Sequence, residues 1–306
     1  MRNKDLLSID RLTCDEVSEL LTLAKDLKAV YRQGGQVLSL RGKVLAMVFA
    51  KPSLRTRVSF EVAALQLGGH AMYITHGEVG LGKREAVSDA ARVLSRMVDG
   101  IMIRTFAQSE VEGLAEHATI PVINGLTDLY HPCQALADLM TIDEHFGTLN
   151  GIKVAYVGDG NNVAHSLING ARRTPISLSI VTPPGYEPKA DIVAAAKVEI
   201  GNRLTLGHDP AGGVADAHVI YTDVWASMGQ EAQREERLAK FAGFQVNDAL
   251  LSHAAPDAVV MHCLPAHRGD EITDAIMDGP RAIVFHQAEN RLHLQRALLH
   301  DLMGSR

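Results

Sequence analysis

The stretch KVLAMVFAKPSLRTRVSFE, residues 43–61, decides the fold. It opens with an aliphatic run from Lys43 to Phe49 that shows no polar alternation, as expected of a strand buried on both faces of a parallel sheet. Pro52 and Ser53 then end the strand and cap a helix, whose apolar spacing continues to Gly68 and Gly69. A strand that feeds directly into a capped helix is half of a βαβ unit.

The same rhythm recurs on either side. AMYIT (Ala71–Thr75), GIMIR (Gly100–Arg104) and PVIN (Pro121–Asn124) are each followed by helical spacing, the last by a strong helix pattern from His131 to His145. A second series starts at KVAYVGD (Lys153–Asp159) and runs through SLSIVT, LTL, VIYTD (Val219–Asp223), AVVMHCL (Ala258–Leu264) and AIVF (Ala282–Phe285). Between the two series, FGTLNG (Phe146–Gly151) marks a boundary, and Glu289–Met303 reads as a closing helix whose docking site the pattern does not fix. The expected class is α/β, with two domains, each a mainly parallel sheet flanked by helices.

A chain of 306 residues matches about two domains at roughly 150 residues each, and 46% hydrophobic residues supply their cores. Lys and Arg number 30 against 36 Asp and Glu, a formal charge of −6, so no global positive field exists to draw nucleic acid or an anionic membrane. Any anion must be held locally. Runs such as Val44–Ala50 fall far short of the ~20 residues of a membrane span, and MRNKDLLSIDRL is too charged for a signal peptide, so a cytoplasmic protein is expected. Cys14, Cys133 and Cys263 form no C-x-x-C pair, which argues for free thiols rather than disulfides or a thiolate zinc site. Aromatics at 5% exclude stacking platforms for single-stranded nucleic acid.

In parallel sheets, function collects beyond the carboxyl ends of the strands. There, Ser53, Leu54, Arg55 and Thr56 occupy a helix start that suits a phosphate, with Arg55 as its cation. Arg57 projects about 200° away from Arg55 around the helix and is assigned to a structural ion pair. GEVGLGKR (Gly77–Arg84) nearly spells a P-loop but ends in Arg84 where a magnesium-binding hydroxyl is needed. GDGNN resembles a dinucleotide turn, yet Val163 stands at its third glycine position, leaving Asn161 and Asn162 as polar groups after the strand. Arg104 ends its strand and fits either a ligand contact or a salt bridge. His131 and Gln134 share a helix face near Asp138, fitting a donor pair for an oxyanion as well as a capping cluster. Asp223 ends another strand ahead of a Ser-Met-Gly loop, and the charge-rich QEAQREER beyond it reads as a solvated helix. His262, Cys263 and His267 make a poor tetrahedral metal set, and Arg291 sits in the first turn of the closing helix.

Taken in order, SLRTR, HPCQALAD, GDGNN, DVWASMG, HCLPAHRG and HQAENR resemble the aspartate and ornithine carbamoyltransferase superfamily along essentially the whole chain, and its ornithine branch through Asp223 and Ser227-Met228-Gly229. The resemblance implies a carbamoyl phosphate-binding domain at residues 1–146, joined by a C-terminal helix at 288–306 that packs back on it, and an ornithine-binding domain at 147–287. It also implies a homotrimer of the arginine-biosynthesis type that needs no metal or cofactor and yields citrulline. Carried over by motif, carbamoyl phosphate meets Ser53, Leu54, Arg55, Thr56, Arg104, His131, Gln134 and Arg291, with Cys263 and Leu264 at the reacting end. L-Ornithine meets Asn162, Asp223, Ser227 and Met228. The catalytic set is Arg104, His131, Asp223 and Cys263. Two departures stand out. Leu54 replaces the usual Thr, so only its backbone N–H can serve the phosphate; and Gly80 stands where relatives place a His or Gln that reaches a neighbouring subunit, so that contact is either missing or replaced by Lys83 or Glu78. A carbamoyltransferase for putrescine, acetylornithine or aspartate, and an amino-acid-binding protein without catalysis, are the competing readings.

Overall fold

The computed structural model describes residues 4–75, 77, 80, 85–226 and 231–304. Lys83, Glu78, Ser227 and Met228 therefore lie outside the described residues, while Gly80 lies within them with φ of 63°. The chain forms two compact units, one reaching to Met140 and resuming at Glu289, the other Thr141–Ala288.

In the first unit, β1 (Val44–Phe49), β2 (His70–Thr75), β3 (Gly100–Arg104) and β4 (Val122–Leu126) make a wholly parallel sheet in the order β2-β1-β3-β4. The helices of this part are α1 (Cys14–Arg32), α2 (Leu54–Gln66), α3 (Val87–Leu94), α4 (Gln108–His117) and α5 (Pro132–Phe146). Val48, Ile101, Ile103 and Val122 pack with Val111 and Leu114 in a core from which water is excluded. In the second unit, β5 (Lys153–Val157), β6 (Ser177–Val181), β7 (Leu204–Gly207), β8 (Val219–Thr222) and β9 (Val259–His262) are again all parallel, ordered β7-β6-β5-β8-β9. Its helices include α6 (Asn162–Arg173), α7 (Ala190–Ile200), α8 (Pro210–Val214), α9 (Arg234–Phe241), α10 (Asp248–Leu251) and α11 (Asp274–Met277).

The inner aliphatic runs become strands with both faces covered, whereas β2 and β7, at sheet edges, stay partly exposed, and several strands stop where polar residues begin. KVAYVGD ends as a strand at Val157, VIYTD at Thr222 and AVVMHCL at His262, which leaves Asp159, Asp223 and Cys263 just beyond the sheet. AIVF departs from expectation. Ala282 makes one isolated bridge to Val260, and the chain turns at Val284 into α12 (Val284–Met303). Only Val284 of that run is fully buried, and Phe285 is 65% exposed, so a short aliphatic run here serves a helix start rather than a strand.

The last part of α12 belongs to the first unit and is bonded into it at several points. Lys28 Nζ donates to Asn290 Oδ1 at 2.7 Å, Arg296 to Gln66 Oε1 at 2.8 Å, and Arg291 Nη2 to Thr56 Oγ1 at 2.9 Å. Met303 fills the space beside Gly100, where a Cβ would stand 2.6 Å from its sulfur.

One glycine of the second unit is fixed by a close approach. Gly160 N–H donates to the Tyr186 carbonyl at 2.8 Å, and a Cβ at Gly160 would fall on the backbone of Glu187 and Pro188 and 2.6 Å from the Tyr186 oxygen. Gly160→Ala is therefore expected to cost about 1–3 kcal/mol or more, because backbone must move, and urea unfolding would show it as a lowered midpoint.

Candidate active site

In each sheet the chain runs out to one edge, returns, and continues on the other side of its starting strand. The reversal falls between β1 and β3 in the first sheet and between β5 and β8 in the second. Loops that leave neighbouring strands at such a point diverge to opposite faces and open a crevice. The strand ends there are level, with Phe49 opposite Arg104 and Val157 opposite Thr222.

At the first reversal, Ser53 has extended backbone (φ −163°) and caps α2 by accepting from Thr56 N–H at 3.4 Å. Leu54, Arg55 and Thr56 form the first turn, whose N–H groups have no partner within the helix and carry the positive end of its dipole. Leu54 is 74% exposed, so its contribution is confined to the backbone. Arg55 is half-buried and makes no ion pair among the described residues, whereas Arg57 pairs with Glu61 at 3.4 Å and lies over the Tyr73 ring at 4.3 Å.

Arg104, His131, Gln134 and Arg291 are all buried. Burial, reinforced by the positive charges of Arg291 and Arg104, holds the His131 imidazole well below the usual histidine range. His131 is thus a neutral group among guanidinium cations, able to donate one N–H without carrying charge. Arg291 can only donate, so its bond to the Thr56 oxygen leaves the Thr56 O–H free to point elsewhere. Gln134 Nε2 donates to Asp138 Oδ1 at 2.7 Å, which orients the amide and leaves its buried Oε1 without a hydrogen-bond partner among the described residues. Next to them, burial pushes the Cys133 thiol up to about 12, so it stays protonated and inert.

Lys51 was not anticipated. It is buried, pairs with Asp128 and lies 4.3 Å from the centre of the Phe106 ring, tying together the loops that follow β1, β3 and β4. Its only signal in the sequence is a Lys between a strand and the Pro52-Ser53 cap.

At the second reversal, Asn161 caps α6 and its Nδ2 donates to Asp223 Oδ2 at 2.8 Å. The Cys263 thiol donates to the other oxygen, Asp223 Oδ1, at 2.9 Å. Asn162, half-buried, begins α6 beside them. Asp159 is bonded to Arg237 at 2.9 Å, and the same guanidinium donates to the Trp225 carbonyl at 2.7 Å. Arg237 corrects the picture of a wholly solvated helix: Arg237 and Phe241, one turn apart on α9, face inward while Arg234, Glu235 and Glu236 face solvent.

Beyond β9, Leu264 N–H donates to His262 Nδ1 at 2.8 Å and His262 Nε2 meets Glu271 Oε1 at 3.0 Å, both side chains being buried. This bond steadies Leu264, a non-glycine residue with φ of 57°. Asp223, His262 and Cys263 bring potential metal-ligating atoms within 4.8 Å of one another, as do His267, Asp270 and Glu271. In the first trio the His262 nitrogens and both Asp223 oxygens already serve hydrogen bonds, and in the second Arg234 pairs with Asp270 at 2.7 Å.

A cationic cluster at a helix start in one unit and a carboxylate–thiol cluster in the other are thus the polar groups found at the two reversals of strand order. Residues 4–144 match the carbamoyl-P binding domain of the aspartate/ornithine carbamoyltransferase profile, and residues 150–302 match its Asp/Orn binding domain. The chain belongs to the aspartate/ornithine carbamoyltransferase family. Within it, the chain is 54% identical to an ornithine carbamoyltransferase of Carboxydothermus hydrogenoformans over 99% of this chain and 98% of that one. It is 52% identical to an anabolic ornithine carbamoyltransferase of Pyrococcus furiosus over 99% of this chain and 98% of the relative. The solved structure of ornithine carbamoyltransferase from Pyrococcus furiosus superposes with a TM-score of 0.96 at 52% identity, covering 99% and 97% of the two chains. That from Thermus thermophilus gives 0.89 at 47% identity, covering 98% and 99%.

His131 also bears on stability. In the unfolded chain it takes up a proton near the usual value of 6.5, whereas the folded chain resists protonation. Its contribution is therefore complete above that pH and is lost as pH falls below it. Urea unfolding of His131→Gln is expected to show a shallower loss of stability than wild type between about pH 7 and pH 5.

Proposed function

We propose that the chain transfers the carbamoyl group of carbamoyl phosphate to the side-chain amine of L-ornithine, giving L-citrulline and phosphate, in the biosynthetic direction. The observation that carries this reading is the uncharged, buried His131 set among Arg104 and Arg291, beside a helix start that accepts an anion. Such a set discriminates between a phosphate, which needs full positive charge, and a carbonyl oxygen, which needs donors where negative charge develops. The relatives named as ornithine carbamoyltransferases, one of them anabolic, support the acceptor and the direction.

In this reading the α2 start, Ser53, the Leu54 N–H, Arg55 and Arg104 hold the phosphoryl oxygens. His131, the Thr56 hydroxyl and Arg291 serve the carbonyl oxygen. The open Gln134 Oε1 accepts from the carbamoyl NH2, and Cys263 and Leu264 serve the reacting end. Asp223 and Asn162 hold the charged α-groups of ornithine, and Ser227 and Met228 are its further binding residues.

The attacking amine resembles that of Lys, with a solution pKa near ~10.4, so the neutral form must be bound or generated. Its nitrogen lone pair forms the C–N bond, the C–O bond to phosphate breaks with its electron pair going to phosphate, and one proton passes from the nitrogen to the departing phosphate. Much of the rate comes from holding the two substrates at attack distance. No covalent Cys263 intermediate is needed, because phosphate is already a good leaving group. We also take the protein to act as a homotrimer in the cytoplasm. Support for the latter is that the three cysteines are unpaired and that no described helix is long and apolar enough to cross a membrane.

Carbamoyl phosphate offered with a panel of amines tests the acceptor. Ornithine should be strongly preferred, and preference for putrescine, acetylornithine or aspartate would overturn the assignment, as would ornithine binding without phosphate release. Arg55→Ala should lower kcat/KM by about a hundredfold or more, while Cys263→Ser stays within about tenfold of wild type. A loss in Cys263→Ser as deep as that in Arg55→Ala would defeat the non-covalent step. Sedimentation should return the mass of three chains.

A further inference from the structure

Asn161 has no part in the chemistry above, yet it touches the groups that surround Asp223. At the N-cap of α6, its Oδ1 accepts from Val163 N–H at 2.9 Å, from Ala164 N–H at 3.2 Å and from the Tyr156 hydroxyl at 3.2 Å. Burial, helped by the negative charges of Asp223 and Asp159, holds the Tyr156 phenol well above its usual range, so its proton is always present. Backbone N–H groups donate and never accept, which settles the amide: oxygen toward the helix, nitrogen toward Asp223.

Nδ2 then donates to Asp223 Oδ2 at 2.8 Å while the Cys263 thiol donates to Oδ1 at 2.9 Å. Each carboxylate oxygen is held by one neutral donor and keeps a second lone pair. Neither donor cancels the charge. The carboxylate is immobilised by two uncharged donors, and no donor cation is bonded to it among the described residues.

We propose that Asn161 is a positioning residue for ornithine: its amide, oriented by the α6 start and Tyr156, fixes the Asp223 carboxylate in the direction from which it meets the substrate's α-ammonium group. The proposal rests on the reading of Asp223 as ornithine's partner. It separates two duties within one side chain. Toward the helix Asn161 must accept, and Asp does this as well as Asn. Toward Asp223 it must donate, and ionised Asp instead presents a like charge.

Asn161→Asp therefore isolates the second duty, with steady-state kinetics and thermal melting of the full-length protein as the readouts. The expected result is an ornithine KM raised by about tenfold or more, with carbamoyl phosphate KM within about twofold and Tm within about 2 °C of wild type. Asn161→Ser, which caps but does not reach Asp223, should raise ornithine KM by a smaller factor and guards against misfolding of the Asp variant. A wild-type ornithine KM in both variants overturns the proposal. So does a parallel rise in both KM values with a lowered Tm, since that is the mark of a lost cap alone. Asp223→Asn keeps the two levels apart. An unchanged ornithine KM there removes the reading of Asp223 and the proposal with it, whereas a raised KM there beside an unchanged one in Asn161→Asp overturns only the role of Asn161.

Discussion

A parallel strand that passes into a helix leaves backbone N–H groups pointing forward from the helix start with no carbonyl of the helix itself to receive them. Both units place such a start beside the point where strand order reverses, at Ser53 in one and Asn161 in the other. The remaining polar groups answer to this constraint with opposite chemistry. At Ser53 the surroundings are cationic and an external anion completes the electrostatics. At Asn161 a carboxylate lies near the helix start, so the positive dipole end is already answered and the free charge on view is negative.

Charge separation of this kind needs dry surroundings. Arg104, His131 and Arg291 are at most 6% exposed, where attraction and repulsion are far stronger than in water. Three buried cations would be intolerable, and the structure avoids that by keeping the middle group neutral. Asp159 and Arg237 solve the matching problem in the other unit, where a second carboxylate close to Asp223 is paired with a guanidinium. Asp223 itself is left with neutral donors.

The architecture was legible in the chain because its signals are local. Aliphatic runs gave every strand of both sheets, and Ser53 was readable as a cap from Pro52 before it and the helical spacing after it. AIVF misled because a run of that length fits a strand or a buried helix start equally well. Partnerships between distant residues were not legible. Thr56 meets Arg291 across 235 residues and Lys28 meets Asn290 across 262, separations over which no pattern in one sequence carries information. Arg237 was hidden for a different reason: a charge-rich stretch looks solvated until α9 shows which of its faces turns inward.

The late arrival of Arg291 also sets an order of events during synthesis. The first unit has its sheet by Leu126, but the arginine that bonds Thr56 emerges only after the whole second unit has been made. At translation rates of about 5–20 residues per second, that interval is roughly 8–33 s. A nascent chain spends this time with Lys28, Gln66 and the flank of Gly100 uncovered, longer than most domains take to fold. The amino-terminal part of this protein is thus the first to be made and the last to be finished, and a chaperone that meets it on the ribosome meets it lacking its final helix.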